Sequence, residues 1–238
     1  MPRRYLAFDI ETAKDVPGED FNWRPHRPLG ISCAATLASD TDQPRLWHGK
    51  TPTGSPEKRM SREDVQGLVR HLSERAAAGF TILTWNGLGF DFDILAEESG
   101  NAAGCRELAF AHVDMMFHVF CSLGYPVALD KAAQGMGLPG KPPGMSGVKA
   151  PILWAQGNFK EVLDYVAQDV RIAMQVAQAC EQRQKFEWIT RNGAKRSLPL
   201  ANGWLPVSDA QRLAEPDTSW MSNPMSRRDF TAWLSPDR

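Results

Sequence analysis

Two carboxylates stand one residue apart where an apolar run near the start of the sequence, "YLAFDIE", comes to its end. Alternate side chains of a β-strand point to the same face, about 6.6 Å apart along the chain, so Asp9 and Glu11 project together. Burying an unpaired charge is costly, and a strand core seldom carries two acids. Either the strand ends here and both acids reach water, or they are held together for a purpose such as binding a cation.

A third acid, Asp91, follows the apolar run "FTILTWN" in the segment "GLGFDFDIL". It stands where a predicted strand passes through a turn into a helix, so it can simply cap or charge the helix N-terminus. Asp93, two residues later, would face away from Asp91 on that helix. Asp114, in "HVDMM", stands at another predicted strand end, and we expect it to be structural rather than a metal ligand.

A fourth acid lies on the longest helical pattern, "GNFKEVLDYVAQDVRIAMQVAQACEQRQ". Tyr165 and Asp169 are four residues apart and therefore one turn from each other on the same face. The rest of that face is apolar, and an acid on a buried stripe is unexpected unless something pairs with it. The alternative is a surface edge on which the tyrosine packs and the acid is solvated.

These acids can meet at one edge of a sheet, because they fall at strand ends or on a helix able to reach that edge. Two like charges about 4 Å apart cost roughly 4 kcal/mol at an effective dielectric constant of about 20. Several such repulsions would consume the stability of a typical domain, which is about 5–15 kcal/mol. Divalent cations remove the repulsion, and a set of oxygen ligands suits Mg²⁺ or Mn²⁺ better than zinc.

The elements that must position these acids follow from apolar periodicity and from Gly and Pro content. We predict strands over 3–10, 29–38, 44–49 and 80–86, with helices over 60–79, 89–100 and 157–184. A short strand is predicted within 108–116, followed by helices over 117–124 and 129–137, and a Gly- and Pro-rich loop over 138–151. Asn192-Gly193 between two strand-like runs predicts a β-hairpin.

Three consecutive strands followed by alternating helices and strands predict an α/β fold, with a mixed sheet flanked by helices. An antiparallel three-strand meander and parallel strands make up this sheet, and the order resembles the ribonuclease-H-like architecture. We expect a ribonuclease-H-like domain over 1–183. The hairpin and tail of 184–238 are expected to pack on the same domain.

The segments "FDIET", "NGLGFD" and "YVAQD" resemble, in order, the three exonuclease motifs of the DEDD superfamily. Tyrosine four residues before the last acid is typical of the tyrosine variant; the histidine variant has histidine five residues before, where this chain has Asp164. The chain is most similar to the stand-alone exonucleases related to the proofreading domains of family-B DNA polymerases. No polymerase fits within 238 residues, so we expect an enzyme that acts alone or through a partner that the sequence does not identify.

The resemblance implies 3′→5′ hydrolysis of nucleic acid to nucleoside monophosphates, with single-stranded DNA as the expected substrate and a single-stranded or frayed 3′ end as the partner. It implies two divalent cations, Mg²⁺ or Mn²⁺, held by Asp9, Glu11, Asp91 and Asp169. Tyr165 would orient the attacking water. Its ordinary pKa near 10 makes it a poor general base at neutral pH.

The resemblance also suggests Thr12 and Phe90 as contacts of the terminal nucleotide, and we add Asn86 to these substrate contacts. Cationic residues provide candidate phosphate contacts. Lys195 and Arg196, in the predicted hairpin, could bind phosphates with Trp188 as a stacking surface, or they could form an ordinary charged turn. Lys149, with Lys141, could bind phosphates from the Gly- and Pro-rich loop.

Composition limits the alternatives. A net charge of −1, from 27 Lys and Arg against 28 Asp and Glu, argues against coating of long duplexes. Four scattered cysteines and no long apolar run predict a cytoplasmic protein with no membrane span. DNA and RNA substrates stay open, because the choice depends on 2′-hydroxyl contacts. A non-catalytic nucleic-acid-binding module is the competing class, and the presence of all four acids and the tyrosine argues against it.

Overall fold

The computed structural model describes residues 3–17, 22–141 and 146–235. A five-stranded mixed sheet in the order β3-β2-β1-β4-β5 forms its centre. The strands are β1 (Tyr5–Thr12), β2 (Ile31–Ala38), β3 (Arg45–His48), β4 (Thr81–Thr84) and β5 (Val113–Asp114). The first three form an antiparallel meander, while β4 pairs parallel to β1 and β5 parallel to β4. The predicted fold class is confirmed.

Helices cover both faces of this sheet. In chain order they are α1 (Arg62–Ala77), α2 (Asp91–Ser99), α3 (Ala102–Ala111), α4 (Met115–Leu123), α5 (Leu129–Gly135), α6 (Ala150–Ala155), α7 (Phe159–Arg183), α8 (Val207–Ala210) and α9 (Arg228–Thr231). Short 3-10 helices cover Arg24–His26 and Ala232–Leu234. One core lies between the sheet and α1, α2 and α3, and the other lies between the sheet and α5, α6 and α7.

Strand β1 is buried on both faces, and its alternation decides where the acids point. The side chains that enter the core with α1 and α2 are Leu6, Phe8 and Ile10. Tyr5 and Ala7 enter the core on the opposite face, against α7. The period of two therefore carries Asp9 and Glu11 onto the α7 side of the sheet. There they face a helix whose own buried stripe includes Tyr165 and Asp169.

Several elements differ from the sequence-based prediction. Strand β1 continues beyond its predicted end at residue 10, through Glu11 to Thr12, so Glu11 lies within the strand as Asp9 does. The helices α3 and α6 were not predicted, because each is short and has little amphipathic pattern. The predicted loop over 138–151 contains the start of α6, and its residues 142–145 lie outside the described part of the chain.

The predicted hairpin is present as β6 (Lys185–Ile189) and β7 (Lys195–Pro199), with Gly193 at φ +78° in the turn. Trp188 is buried and stacks on Phe186, with ring centroids 5.4 Å apart. A Cβ on Gly135 would lie 2.2 Å from the Trp188 backbone, so glycine permits this close packing of α5 on the hairpin. The interpretation of Trp188 as a stacking surface for bases is therefore wrong, because its ring is in the core.

The tail after the hairpin packs back onto the main body. Val207 donates its backbone N–H to the carbonyl of His112, and Phe230 packs its ring against Phe117 and Phe120. Trp233 Nε1 donates to the Leu88 carbonyl oxygen at 2.7 Å, on the turn that leads into α2. The tail thus helps to fix the turn that carries Asp91.

Two further observations concern the chain as a whole. All four cysteines are buried and free of disulfides. Within the described ranges, no helix is both long enough and apolar enough to cross a membrane.

Candidate active site

A cavity of about 560 Å³ opens at the edge of the sheet where β1 and β4 reach their C-terminal ends. Parallel strands bring their C-terminal ends to the same edge, which is a common place for ligand sites in α/β folds. The predicted catalytic residues that line this cavity are Asp9, Glu11, Asp91, Tyr165 and Asp169. The structure therefore brings together side chains that are up to 160 positions apart, between Asp9 and Asp169.

Three of the acids form a compact group. Asp9, Glu11 and Asp169 each offer a carboxylate oxygen, and these oxygens lie within 4.8 Å of one another. Glu11 and Asp169 are buried, while Asp9 is half-buried and faces the cavity. The group, which we call the acidic cluster, is close enough to share a cation.

Asp91 lies beside the acidic cluster but has a further bond that fixes it. It is the first residue of α2, and its Oδ1 accepts a hydrogen bond from the backbone N–H of Ile10 at 3.0 Å. That bond ties the start of α2 to β1 between Asp9 and Glu11. Asp91 thus lines the same cavity while bridging two of the elements that form it.

Repulsion within this site shows in the pKa values of its acids. Burial, and then the charges of Asp91 and Asp169, raise the pKa of Asp9 well above its ordinary value. Burial and the charge of Asp169 do the same for Glu11. Burial also raises the pKa of Asp91 to about 7. Keeping these buried carboxylates ionised side by side therefore costs free energy, and a bound cation would remove that cost.

Lys141 places a positive charge against the acidic cluster. Its Nζ donates hydrogen bonds to Asp169 Oδ2 at 2.6 Å and to the Tyr165 hydroxyl oxygen at 2.8 Å. Burial lowers the pKa of Lys141, but the charge of Asp169 and the hydrogen bonds to Asp169 and Tyr165 outweigh it and raise that pKa. From the sequence, Lys141 was predicted only as a phosphate contact, because a Gly- and Pro-rich loop has no period that predicts where a side chain points.

Asp169 is only partly satisfied by this contact. Its Oδ1 is buried and has no hydrogen-bond partner among the described residues. Burial raises the pKa of Asp169, and Lys141 opposes that rise. A buried carboxylate oxygen without a partner is costly, so this atom is available to a ligand that supplies positive charge.

Tyr165 is buried beside Asp169, one helical turn away. Burial and the charge of Asp169 raise the pKa of its phenol, so the hydroxyl stays protonated at neutral pH. A protonated phenol can both donate and accept hydrogen bonds. It can therefore orient a water molecule but not act as a base.

The turn between β4 and α2 is held by Asp114. Its carboxylate accepts hydrogen bonds from the backbone N–H groups of Asn86 at 3.0 Å and Leu88 at 2.8 Å, and its Oδ1 also caps α4 through Phe117. Asn86 has φ +74°, a strained region that these bonds enforce. The predicted structural role of Asp114 is confirmed, because its oxygens are committed to backbone N–H groups.

Asp93 also has a structural position. It is buried and forms a salt bridge at 2.9 Å with Arg27, which also binds Glu97. Arg27 belongs to the segment between β1 and β2 and lies over the ring of Trp23. The pair therefore ties that segment to α2.

The predicted substrate contacts divide into two groups. Thr12, Asn86 and Phe90 line the cavity, and the ring of Phe90 meets that of Trp23 edge-on, with centroids 5.4 Å apart. Lys149 lies at the start of α6 and is not among the described residues that line the cavity.

The two cations of the hairpin also lie outside the lining, and they differ from each other. Lys195 pairs with Glu187 at 3.2 Å, whereas Arg196 is exposed and has no salt bridge to any described residue. Their roles as phosphate contacts stay predictions.

Several side chains of the cavity wall were not predicted from the sequence. They are Trp23, Trp85, Met116 and Val148. Trp85 directly precedes Asn86, which was predicted as a substrate contact. Its place in the chain could therefore have identified it as a residue of the cavity. Trp23 and Val148 come from segments without periodicity, and no pattern in the sequence predicts that they turn inward.

Comparison with known proteins agrees with this description. The fold is that of the ribonuclease-H-like class. Residues 49–180 match the RNase_H_2 model of the RNase_H superfamily, and the chain belongs to that superfamily. The match begins after β1, so it does not include Asp9 or Glu11. None of the curated proteins matches the chain.

Among solved structures, the chain is similar to the family B DNA polymerase from the hyperthermophilic archaeon Pyrobaculum calidifontis. The sequences are 22% identical, and the TM-score is 0.54. The match covers 76% of this chain and 25% of the polymerase. At that identity the likeness establishes the fold. With membership of the superfamily, it supports a nuclease as the broad class.

Proposed function

We propose that this chain is a metal-dependent 3′→5′ exonuclease that acts on single-stranded DNA and releases nucleoside monophosphates. The observation that carries the proposal is the convergence of the acidic cluster and Tyr165 in one cavity of about 560 Å³. Sites for small ligands have volumes of roughly 300–1,000 Å³. A cavity of this size suits one terminal nucleotide.

The residues of the site fit a divalent cation. Asp169 offers a buried oxygen with no hydrogen-bond partner in the described part of the chain, and every other ligand atom of the acidic cluster is also a carboxylate oxygen. Such a set suits Mg²⁺ or Mn²⁺. We propose that Asp9, Glu11, Asp91 and Asp169 hold two of these ions. When bound, such ions make a nucleophile from water near neutral pH and neutralise charge on the phosphate.

The hydroxyl of Tyr165 has a positioning role in this proposal. Because its pKa is raised, it keeps its proton and donates a hydrogen bond to the attacking water. That bond orients the water without removing its proton. Lys141 Nζ donates a hydrogen bond to the same hydroxyl oxygen at 2.8 Å. This bond fixes the rotation of the Tyr165 side chain.

The apolar wall of the cavity is the proposed seat of the terminal base. Phe90 and Trp23 present aromatic rings there, and base–aromatic stacking is tolerant of sequence. Thr12 and Asn86 add polar groups to the cavity lining. A site that binds one end of a strand without reading its sequence suits an exonuclease better than a sequence-specific endonuclease.

The test uses DNA and RNA oligonucleotides of the same sequence, labelled at the 5′ or the 3′ end, with Mg²⁺ or Mn²⁺. The proposal predicts immediate release of a labelled mononucleotide from the 3′-labelled strand and a ladder from the 5′-labelled strand. Asp169→Asn, which keeps size and removes charge, should be inactive. Faster hydrolysis of RNA would replace the DNA assignment with an exoribonuclease. No hydrolysis of either strand would contradict the proposal.

A further inference from the structure

Trp220 is the most exposed large hydrophobic side chain in the described part of the protein, with 68% of its surface accessible. Its position is nevertheless fixed. The indole Nε1 donates to the Asp217 carbonyl oxygen at 3.1 Å, and Pro216, Thr218 and Met221 pack against Gly124. An exposed ring of this size contributes little to folding, and beside a second aromatic ring it offers a binding surface.

Tyr125 lies next to Trp220 and extends the aromatic surface. The two ring centroids are 6.2 Å apart, and the rings are nearly perpendicular, at 77°. Tyr125 is partly exposed. Burial raises the pKa of its phenol, and the nearby charge of Arg196 opposes that rise. Geometry places Arg196 on the same side: it is paired with Trp188, whose ring stacks on Phe186. The ring of Phe186 in turn lies 6.2 Å from that of Trp85.

Arg196 is the cation of this surface, whereas Lys195 belongs to the other face of β7. Arg196 pairs in register with Trp188, and Lys195 pairs with Ile189, so the two side chains point to opposite faces. Lys195 pairs with Glu187 Oε1 at 3.2 Å, an oxygen that it shares with Lys185 at 3.1 Å. Across the described ranges, no carboxylate forms a salt bridge with Arg196, which leaves its guanidinium available to a phosphate.

The surface made by Trp220, Tyr125 and Arg196, which we call the aromatic strip, leads to the cavity. Ala128 lines the cavity only three residues after Tyr125, a separation of at most about 10 Å. Trp85, which also lines the cavity, donates its Nε1 hydrogen to the Val127 carbonyl oxygen at 3.1 Å. The segment from Tyr125 to Ala128 therefore connects the two surfaces through ordered contacts.

We propose that the aromatic strip binds single-stranded nucleic acid on the 5′ side of the nucleotide held in the cavity. This inference rests on the proposed function. Stacking on Trp220 needs an exposed base face, which a base inside a duplex does not offer. Arginine binds phosphate well because its planar fork can donate two hydrogen bonds. The inference thus assigns single strands and frayed ends as the substrate class.

The test measures binding of 5′-fluorescein-labelled (dT)12 by anisotropy in EDTA, where hydrolysis is suppressed. Trp220→Ala should weaken binding about fivefold to a hundredfold, the cost of losing one stacked base. Arg196→Ala should weaken binding several-fold and reduce its dependence on salt. Arg70→Ala on α1 and Phe110→Ala on α3 are matched controls, and both should bind as the wild type does.

Three further measurements make the result decisive. Lys195→Ala should weaken binding less than Arg196→Ala. An equal loss of affinity would indicate that the nucleic acid does not bind on the Arg196 face of β7, and it would overturn the proposal. A labelled blunt duplex should bind wild type and Trp220→Ala alike. Manganese should stabilise wild type and Trp220→Ala at the same concentration, which excludes damage to the cavity.

Failure of the strip and failure of the proposed function are distinguishable. The p-nitrophenyl ester of thymidine 5′-monophosphate occupies the cavity alone, and wild-type hydrolysis of it with Mn²⁺ tests the function without the strip. If wild type hydrolyses this ester but Trp220→Ala binds (dT)12 as wild type does, the strip proposal is wrong and the function stands.

Discussion

Lys141 Nζ lies 2.6 Å from Asp169 Oδ2, so a loop lysine supplies positive charge directly against the acidic cluster. A salt bridge this close stabilises the carboxylate, and it also opposes the entry of further positive charge. The same contact therefore has two consequences that can be measured separately. One concerns stability without metal, and the other concerns metal affinity.

Lys141→Met should lower the free energy of unfolding without metal by about 1–2 kcal/mol, because it leaves Asp169 without its cationic partner. It should also lower the Mn²⁺ concentration that gives half-maximal thermal stabilisation by several-fold, because a competing charge is gone. Melting curves over a Mn²⁺ titration measure both. Lys160→Met removes an equal charge from an exposed pair on α7 and should change neither. A higher Mn²⁺ requirement in Lys141→Met would contradict this account.

Asp9→Asn should make the metal-free protein more stable at neutral pH, by about 1–2 kcal/mol. The substitution removes one charge from a group of mutually repelling carboxylates. Urea unfolding in EDTA is the appropriate measurement. Asp93→Asn is the control, and it should change the free energy of unfolding in the opposite direction. That buried acid is paired with Arg27 at 2.9 Å, so loss of its charge should be destabilising. If Asp9→Asn were also destabilising, the inferred repulsion would be absent.

Tyr165→Phe should reduce the rate of hydrolysis roughly tenfold to a hundredfold while leaving stabilisation by Mn²⁺ intact. The ring keeps its packing, and only the hydroxyl that orients water is lost. Single-turnover hydrolysis of the 3′-labelled strand measures the rate, and melting curves measure the metal. Cleavage at the wild-type rate would remove Tyr165 from the mechanism.

His118 should make the stability of the protein fall as the pH is lowered. Its ring is buried, its Nδ1 accepts a hydrogen bond from the Leu205 backbone N–H at 3.2 Å, and burial lowers its pKa to about 4. In the unfolded chain the pKa is near 6.5. The unfolded state therefore binds the proton more tightly. The stability contributed by the neutral ring is complete above about pH 6.5 and is lost as the pH falls toward 4.

His118→Asn keeps an acceptor for Leu205 and does not titrate in this range. Between about pH 7.5 and pH 5, wild type should lose on the order of 1–2 kcal/mol more stability than the variant. Asp91 and Asp114 titrate with the opposite sign in the same interval, with pKa values raised by burial to about 7 and about 6. They are common to both proteins, so the difference isolates His118. Parallel pH curves would show that the imidazole does not titrate as described.

The sequence predicted the parts of this site that depend on a regular period. Alternation along β1 places Asp9 and Glu11 on one face, and the four-residue spacing on α7 places Tyr165 beside Asp169. In each case a local rule and the tertiary fold agree, because the same period decides both which face is buried and which face carries the acids.

The sequence could not predict the contacts made by irregular segments. Lys141 reaches the acidic cluster from a loop, and Trp233 reaches the Leu88 carbonyl from a tail without periodicity. Trp188 was misinterpreted because an aromatic residue in a cationic hairpin can point to either face. Only the packing of the hairpin on α5 decides that it is buried. Such contacts depend on how distant elements meet, which no local pattern encodes.

The central claim is that Asp9, Glu11 and Asp169 are held together as a site for divalent cations, and a Mn²⁺ titration followed by thermal melting tests it most directly. The account predicts a saturable rise in the wild-type melting temperature, because a ligand that binds only the folded state stabilises it. The double variant Asp9→Asn, Asp169→Asn should show no such rise. A wild-type midpoint that stays unchanged up to about 10 mM Mn²⁺, or an equal rise in the double variant, would contradict the account.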